Sequence, residues 1–469
     1  MGKIAKYLVA VLLLLIFISA AIFLLHKSKK NQLAGKAIPF VLSEMQNFDF
    51  PPNVCNISDY GAISDGITSN TEAIKKSIQD CVQKGGGKVV IPAGKWLTGA
   101  IHLASNIDLD LDKDAEIIFS ANPKDYLPAV FTRIEGIELY NYSPFIYANG
   151  AENVAITGRG KLNGQGQLWQ TWKKGEKPAL EKLNKMVKDN LPVEKRIFGT
   201  SEDALRPSFV QFVNCKNVRL EGYSITNSPR WTIHLIYSEN VVLRNLDVDT
   251  LGFNSDGVVI DSSKNILVEN SRLLSSDDTI SIKSGLNEDG WRVNRPSENI
   301  VIRNCAIEGG HSAIAIGSEM SGGVRNVLLE NLRLNGVDQG IRAKSVKNRG
   351  GFVENVWAKN ITMGDVTNTA LKLDLTYPAS TLNSEGGKAP VFKNFYFDGI
   401  SVGKTKYAVE LEGLESSLIS NVNISNLTAT AEKGISVKYS QDVNFDQMEI
   451  EGVKKPPIFS VSNSQNINY

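Results

Sequence analysis

An excess of charge of either sign is missing from this chain, with 51 Lys and Arg set against 50 Asp and Glu. That balance argues against a nucleic-acid partner, which needs a surplus of cations, and leaves any basic character local. Beyond the N-terminal segment, no shift in composition divides the sequence into two bodies. Histidine and cysteine are scarce, at four residues each. The cysteines settle little: Cys55 and Cys81 flank a short helical segment and can pair in an oxidising compartment, whereas Cys215 and Cys305 follow repeated asparagines and read as buried thiols. What is abundant is core material, 42% hydrophobic residues with 39 glycines, enough for one large core.

That material is arranged as a repeat. Asn precedes an alternating apolar stretch at Asn153, Asn217, Asn240, Asn265, Asn299, Asn326 and Asn355, with weaker copies at Asn394, Asn421 and Asp442. A recurring unit of this size is the signature of a solenoid. Each unit holds short runs of Val, Ile and Leu separated by Gly, Asn, Ser or Asp, and no amphipathic helix interrupts them, so strands and tight turns are expected. Coils of this kind stack through parallel hydrogen bonding and bury a column of aliphatic side chains that no single coil can bury. The expected fold is all-β, a right-handed parallel β-helix. Asn suits a repeated corner because it tolerates the left-handed backbone and its amide can bond stacked copies of itself.

A second set of runs aligns across the same units: Asp256 to Asp261, Asp278 to Lys283, Ser312 to Gly317 and Gln339 to Lys344. Side chains alternate along a strand, so Ile280 and Ile282 point one way and Ser281 and Lys283 the other. Arg342 and Lys344 share the columns of Ser281 and Lys283, which places both cations on the expected solvent face. Asp256, Asp277, Asp278 and His311 gather at the leading corner of this sheet. With rungs about 4.8 Å apart, these groups can reach one sugar ring. Three carboxylates, an imidazole and two cations suit acid/base hydrolysis of an acidic sugar polymer. Crowding of the carboxylates should raise at least one pKa.

Flanking segments have other tasks. The apolar run Tyr7 to Leu25 lies between Lys3, Lys6 and a cationic stretch to Lys30. It is long enough to span a bilayer and shows no small-residue cleavage site after it, so a signal anchor over residues 1–30 is favoured over a cleaved signal peptide. Residues 31–52 read as a linker and 53–469 as the catalytic body. Within that body, residues 53–92 carry an N-terminal cap whose helix, from Asn70 to Cys81, closes the solenoid's open end, with Asn70 as its N-cap. Residues 165–205, with Trp169, Trp172 and a charged helical stretch, interrupt the repeat as a lid. The alternating Asp108, Asp110 and Asp112 read as the exposed face of an early strand rather than a calcium site.

The ordered blocks Asn254-Ser255-Asp256, Asp277-Asp278, Gly310-His311-Ser312 and Arg342-Ala343-Lys344 resemble those of glycoside hydrolase family 28, the polygalacturonases. The resemblance runs from about residue 56 to 450, and Tyr140 to Pro144, Ser228 to His234 and Gly317 to Gly322 are similar to bacterial members, including exo-acting ones. Ser255, Ser312 and Ala343 depart from the family pattern, while every ionisable position is kept. The resemblance implies inverting hydrolysis of α-1,4 galacturonosyl linkages in pectin without metal or organic cofactor. It implies Asp277 as general acid, Asp256 and Asp278 as holders of the attacking water, and His311 as a tuner of the acid. Arg342, Lys344 and Asn254 are implied as substrate-binding residues. Inversion usually separates acid and base by about 6.5–9.5 Å.

Bland readings compete at each position. An Asp-Asp pair at a turn is usually a solvated corner, a lone His is usually structural, and Trp231 reads as packing; the four blocks in register outweigh these. Rival functions are a rhamnogalacturonan or other acidic-glycan hydrolase of the same family, a calcium-dependent pectate lyase-like β-helix, and a non-catalytic binding module. A polysaccharide substrate requires export, membrane-anchored or secreted, and a monomer is expected. The segments 165–205 and 284–298 would narrow the groove, which leans toward exo action.

Overall fold

A computed structural model describes residues 48–200, 202–378, 387–454 and 458–469; the run Tyr7 to Leu25 and most of the linker lie outside them. Among the described residues, no helix is long and apolar enough to cross a membrane. Parallel strands stack rung on rung into a solenoid, and one antiparallel hairpin, Val130–Ile134 with Ile137–Asn141, stands apart from it.

The corner asparagines do what their chemistry suggests. Asn153, Asn217, Asn240, Asn265, Asn299, Asn326, Asn355, Asn394 and Asn421 all have positive φ. Each amide donates to the carbonyl oxygen of the Asn one rung earlier, as in Asn265 Nδ2 to Asn240 Oδ1 at 3.1 Å and Asn299 Nδ2 to Asn265 Oδ1 at 3.0 Å. Asn106, ahead of the alternating run Ile107–Leu111, starts the ladder by accepting from Asn153. An Asn265→Ala variant loses both bonds and puts a Cβ residue without a local hydrogen-bonding side chain at φ 57°. We expect a stability loss of about 2–3 kcal/mol, read as a lowered denaturation midpoint in urea.

Inward positions form continuous aliphatic stacks. One runs from Ile101 through Ile146, Val210, Ile233, Val258, Ile280, Ile314 and Ile341 to Leu371, every member buried. Each such side chain contributes about 1.5–3 kcal/mol of transfer free energy. The register of the four runs read from the sequence is that of the structure: Val258 pairs Ile280, Ile280 pairs Ile314, and Ile314 pairs Ile341. Helix α1 (Thr71–Gln83) covers the first rungs with Ile74, Ile78 and Cys81. Asn70 does not cap it through its side chain. That side chain instead takes the Ile63 N–H and gives to the Ile63, Thr68 and Leu97 carbonyls, because the preceding turn needs it more. Cys55 and Cys81 are free thiols. Asp108, read as exposed, is buried, accepts from Thr157 Oγ1 at 2.8 Å, and is pushed up by that burial.

Three additions pack on one another outside the solenoid. They are the hairpin, helix α2 (Lys173–Lys188) and helix α3 (Asn287–Val293), and they share a small core of Ile134, Ile137, Leu139, Ala179, Leu183, Val187, Phe198, Leu205 and Leu286. Buried Asp289 of α3 joins them, accepting from the Glu138 N–H at 2.8 Å and from Arg196 Nη1 at 2.9 Å. The stretch expected to be a lid is thus fastened at both ends.

Candidate active site

The pairing of Val258–Asp261 with Ile280–Lys283 sets Asp256 and Asp278 at equivalent points of adjacent rungs, with Asp277 one residue ahead. One carboxylate oxygen from each of Asp256, Asp277 and Asp278 lies within 4.8 Å of the others. Asp256 and Asp278 are buried and Asp277 is partly open. Asp277 is held by its backbone and its own turn: its carbonyl accepts from the His311 N–H at 3.2 Å, and its Oδ1 accepts from the Asp278 N–H at 2.8 Å.

Two buried neighbours are driven in opposite directions. Burial, then the charges of Asp277 and Asp278, push the Asp256 carboxyl well above the ordinary range, against Lys283 and the Ser281 hydroxyl, which donates at 2.6 Å. Burial also pushes Asp278 up, but the Lys344 charge and its 2.7 Å hydrogen bond outweigh it and hold Asp278 low. Adjacent carboxyls of opposite tendency are the usual mark of an acid and a base sharing one site. The same oxygens have the spacing to hold a cation, although Lys344 already neutralises Asp278.

Several expected positions need correction. Lys344 does point away from the core, but Tyr377 and the neighbouring rungs cover it, and its ammonium is spent on Asp278. Arg342 is likewise paired, with Asp374 Oδ2 at 2.9 Å, and lies over the Tyr377 ring. Both cations are therefore paired within the protein, Lys344 with Asp278 and Arg342, through one Nη, with Asp374. His311 is exposed, and its Nδ1 faces Asp338 Oδ2 at 3.1 Å; its tie to the trio is through its backbone. Asn254 Oδ1 is occupied by Lys173 Nζ at 2.5 Å and Arg206 Nη2 at 3.1 Å. The oxygens of the trio are also closer than the separation usual for inversion. A water bridging two such oxygens fits this spacing, since two hydrogen bonds of about 2.7–2.8 Å span it.

Other groups in the site gave no sequence signal of their own. Glu176 of α2, buried, accepts from Arg206 Nε at 2.8 Å and Arg230 Nη1 at 3.0 Å. Burial pushes Glu176 up, but Arg230 and Arg206 outweigh it and hold it at about 2. Arg206 in turn donates to the Phe253 carbonyl at 2.8 Å, so the insertion steadies the turn that presents Asp256. Lys283 donates to Glu319 Oε2 at 2.8 Å and lies over Trp231, which is buried as packing. Glu319 stands within the Gly317 to Gly322 stretch already noted for its resemblance, which is where a signal was available.

A sequence profile of glycosyl hydrolases family 28 matches residues 81–444. A probable polygalacturonase of Vitis vinifera is 29% identical over 80% of this chain and 73% of its own length. An exo-poly-α-D-galacturonosidase of Dickeya chrysanthemi is 28% identical over 88% of this chain and 70% of its own. Among solved structures, a hyperthermoactive exopolygalacturonase from Thermotoga maritima superposes with TM-score 0.83 at 38% identity, covering 87% of this chain and 94% of that one. With the carboxylate trio in register on a parallel solenoid and the profile covering most of its length, this chain belongs to glycosyl hydrolase family 28.

Proposed function

We propose that the protein is an exo-acting polygalacturonase, releasing galacturonate from pectin chains by hydrolysis of α-1,4 linkages, on a β-helix of right hand, the hand parallel crossovers take. The observation that carries this reading is the trio itself, three carboxylates with oxygens within 4.8 Å, one held ionised by Lys344. Asp278 is then the base that polarises the attacking water, with Asp256 as the second oxygen of the water's seat. Asp277, the member open to the groove, delivers the proton to the leaving oxygen, with buried Asp256 beside it. Arg342 and Tyr377 stand on the rungs beyond and receive the substrate's carboxylate and ring, with Lys344 setting the charge behind them. The names of the Dickeya and Thermotoga relatives support exo action. Retention of His311 and of the Arg342 and Lys344 pair favours galacturonate over rhamnogalacturonan. Because pectin lies outside the cell, the reading entails export, with residues 1–30 as signal anchor or signal peptide.

Incubation with polygalacturonic acid, with and without EDTA, tests it. Saturated galacturonate formed in both, with β-anomer appearing first by proton NMR, is the expected result. Unsaturated products absorbing near 235 nm and lost with EDTA would instead identify a lyase and remove the acid/base assignment.

A further inference from the structure

The hairpin lies along the axis of the solenoid, on the outward face of the sheet that carries the trio. Its residues meet rungs of the solenoid in chain order. The Phe131 carbonyl accepts from Tyr147 Oη at 2.8 Å, Thr132 Oγ1 donates to Gln211 Oε1 at 2.8 Å, and Arg133 Nη1 donates to Asp261 Oδ1 at 2.8 Å. At the tip Glu135 accepts from Arg230 Nη2, ahead of the Ile233–Ile236 rung, and the Gly136 carbonyl accepts from the N–H of Leu286, just past Lys283, at 3.1 Å. Along this face Tyr147, Gln211, His234, Val259 and Asp261 are buried, and the hairpin ends at Arg230 and Leu286. Past it the outward column continues through Ala315 to Arg342 and Lys372, the latter two half-buried.

The tip has an unusual residue. Glu135 and Gly136 form the two-residue turn, with φ of 47° and 75°. Hairpin turns of this kind call for Asn, Asp or Gly at the first position, and Glu is a strained choice there. Its side chain is the most open part of the charged group it joins, 25% exposed beside Arg230 at 1%, with Lys283 and Glu319 near it. Both insertions act as buttresses. Helix α3 holds the hairpin through Asp289, and Phe198 and Arg196 bond its outer strand at Tyr140.

We propose that Glu135 is a specificity-determining residue, its hairpin tip forming the end stop of the groove and its carboxyl meeting the hydroxyls of the terminal sugar. One residue then fits between stop and trio, and one is released per cleavage. This rests on the exo reading above. The test is the earliest products from hexagalacturonate, resolved by mass, for the full chain and its Glu135→Ala variant. The unaltered chain should give monomer and pentamer alone; dimer and trimer at the outset would defeat the exo reading before any variant is made. With that established, Glu135→Ala should yield dimer and trimer in at least about a tenth of first cleavages and raise KM for digalacturonate about fivefold or more. Monomer alone at unchanged KM overturns the proposal. Should the variant not fold, hydrogen exchange on the unaltered chain with saturating galacturonate decides. Slowed exchange at residues 134–137 supports the stop, and slowing confined to residues 277–283 removes it.

Discussion

Asp277→Asn should lower kcat on polygalacturonate by about 10²–10⁴-fold while KM changes little, the range typical of a lost general acid. Asn keeps the shape and the acceptance of the Asp278 N–H by Oδ1, so the turn should survive. What is lost is the group that hands a proton to the leaving oxygen on the open side. Burial holds Asp256 protonated more firmly than an ordinary carboxyl, yet Asp256 is buried and Asp277 is not. A proton on Asp256 is therefore available to the leaving group only through Asp277. Reducing-end assays at several pH values measure this. Residual activity within tenfold of the unaltered chain would reassign the acid to Asp256. A substrate with a good leaving group needs little protonation and should recover much of the rate, which separates lost acid catalysis from a collapsed site.

The repeat was legible because each rung imposes the same two demands, a left-handed corner and an outlet for an amide, and Asn meets both. The strand register followed from alternation alone, since a slip of one residue would bury Ser281 and Lys283 in the core and expose Ile280 and Ile282. Burial and pairing on the outward face were not legible. Alternation assigns Lys344 to a column, but Asp278, 66 residues earlier in sequence, reaches it only because the rungs stack. The hairpin escaped notice because its turn is Glu135-Gly136, without the Asn-Gly or Asp-Gly that announces such turns. Resemblance alone groups Asn254 with the substrate binders; its partners are Lys173 of the insertion and Arg206 just past it, outside any repeat that sequence could align.

Lys344→Met is expected to damage both stability and activity. Lys344 and Asp278 are nine-tenths buried, and removing one member of such a pair strands the other charge, at a cost of about 3–5 kcal/mol. The sign with pH follows from the two shifts. Asp278 is held below its ordinary range in the fold, so its contribution is present above the unfolded carboxylate pKa and is lost as pH falls through the lower folded value. Lys344 is buried, which alone would lower it, but Asp278 outweighs burial and raises it. Its contribution is therefore present below the ordinary lysine range and is lost only as pH rises through the raised value. The stability gap between Lys344→Met and the unaltered chain should accordingly be widest near neutrality and shrink in acid. In the variant, burial acts on Asp278 with Lys344 gone and only the more distant Lys283 charge against it, so the acid-side limb of kcat/KM moves to higher pH. The double variant Lys344→Met, Asp278→Asn should regain part of the denaturation midpoint, since no buried charge is stranded, and none of the activity, since the base is gone. Recovery of activity in the double variant would show that Asp278 is not the base, and an unmoved acid limb in the single variant would show that Lys344 serves the substrate rather than the trio.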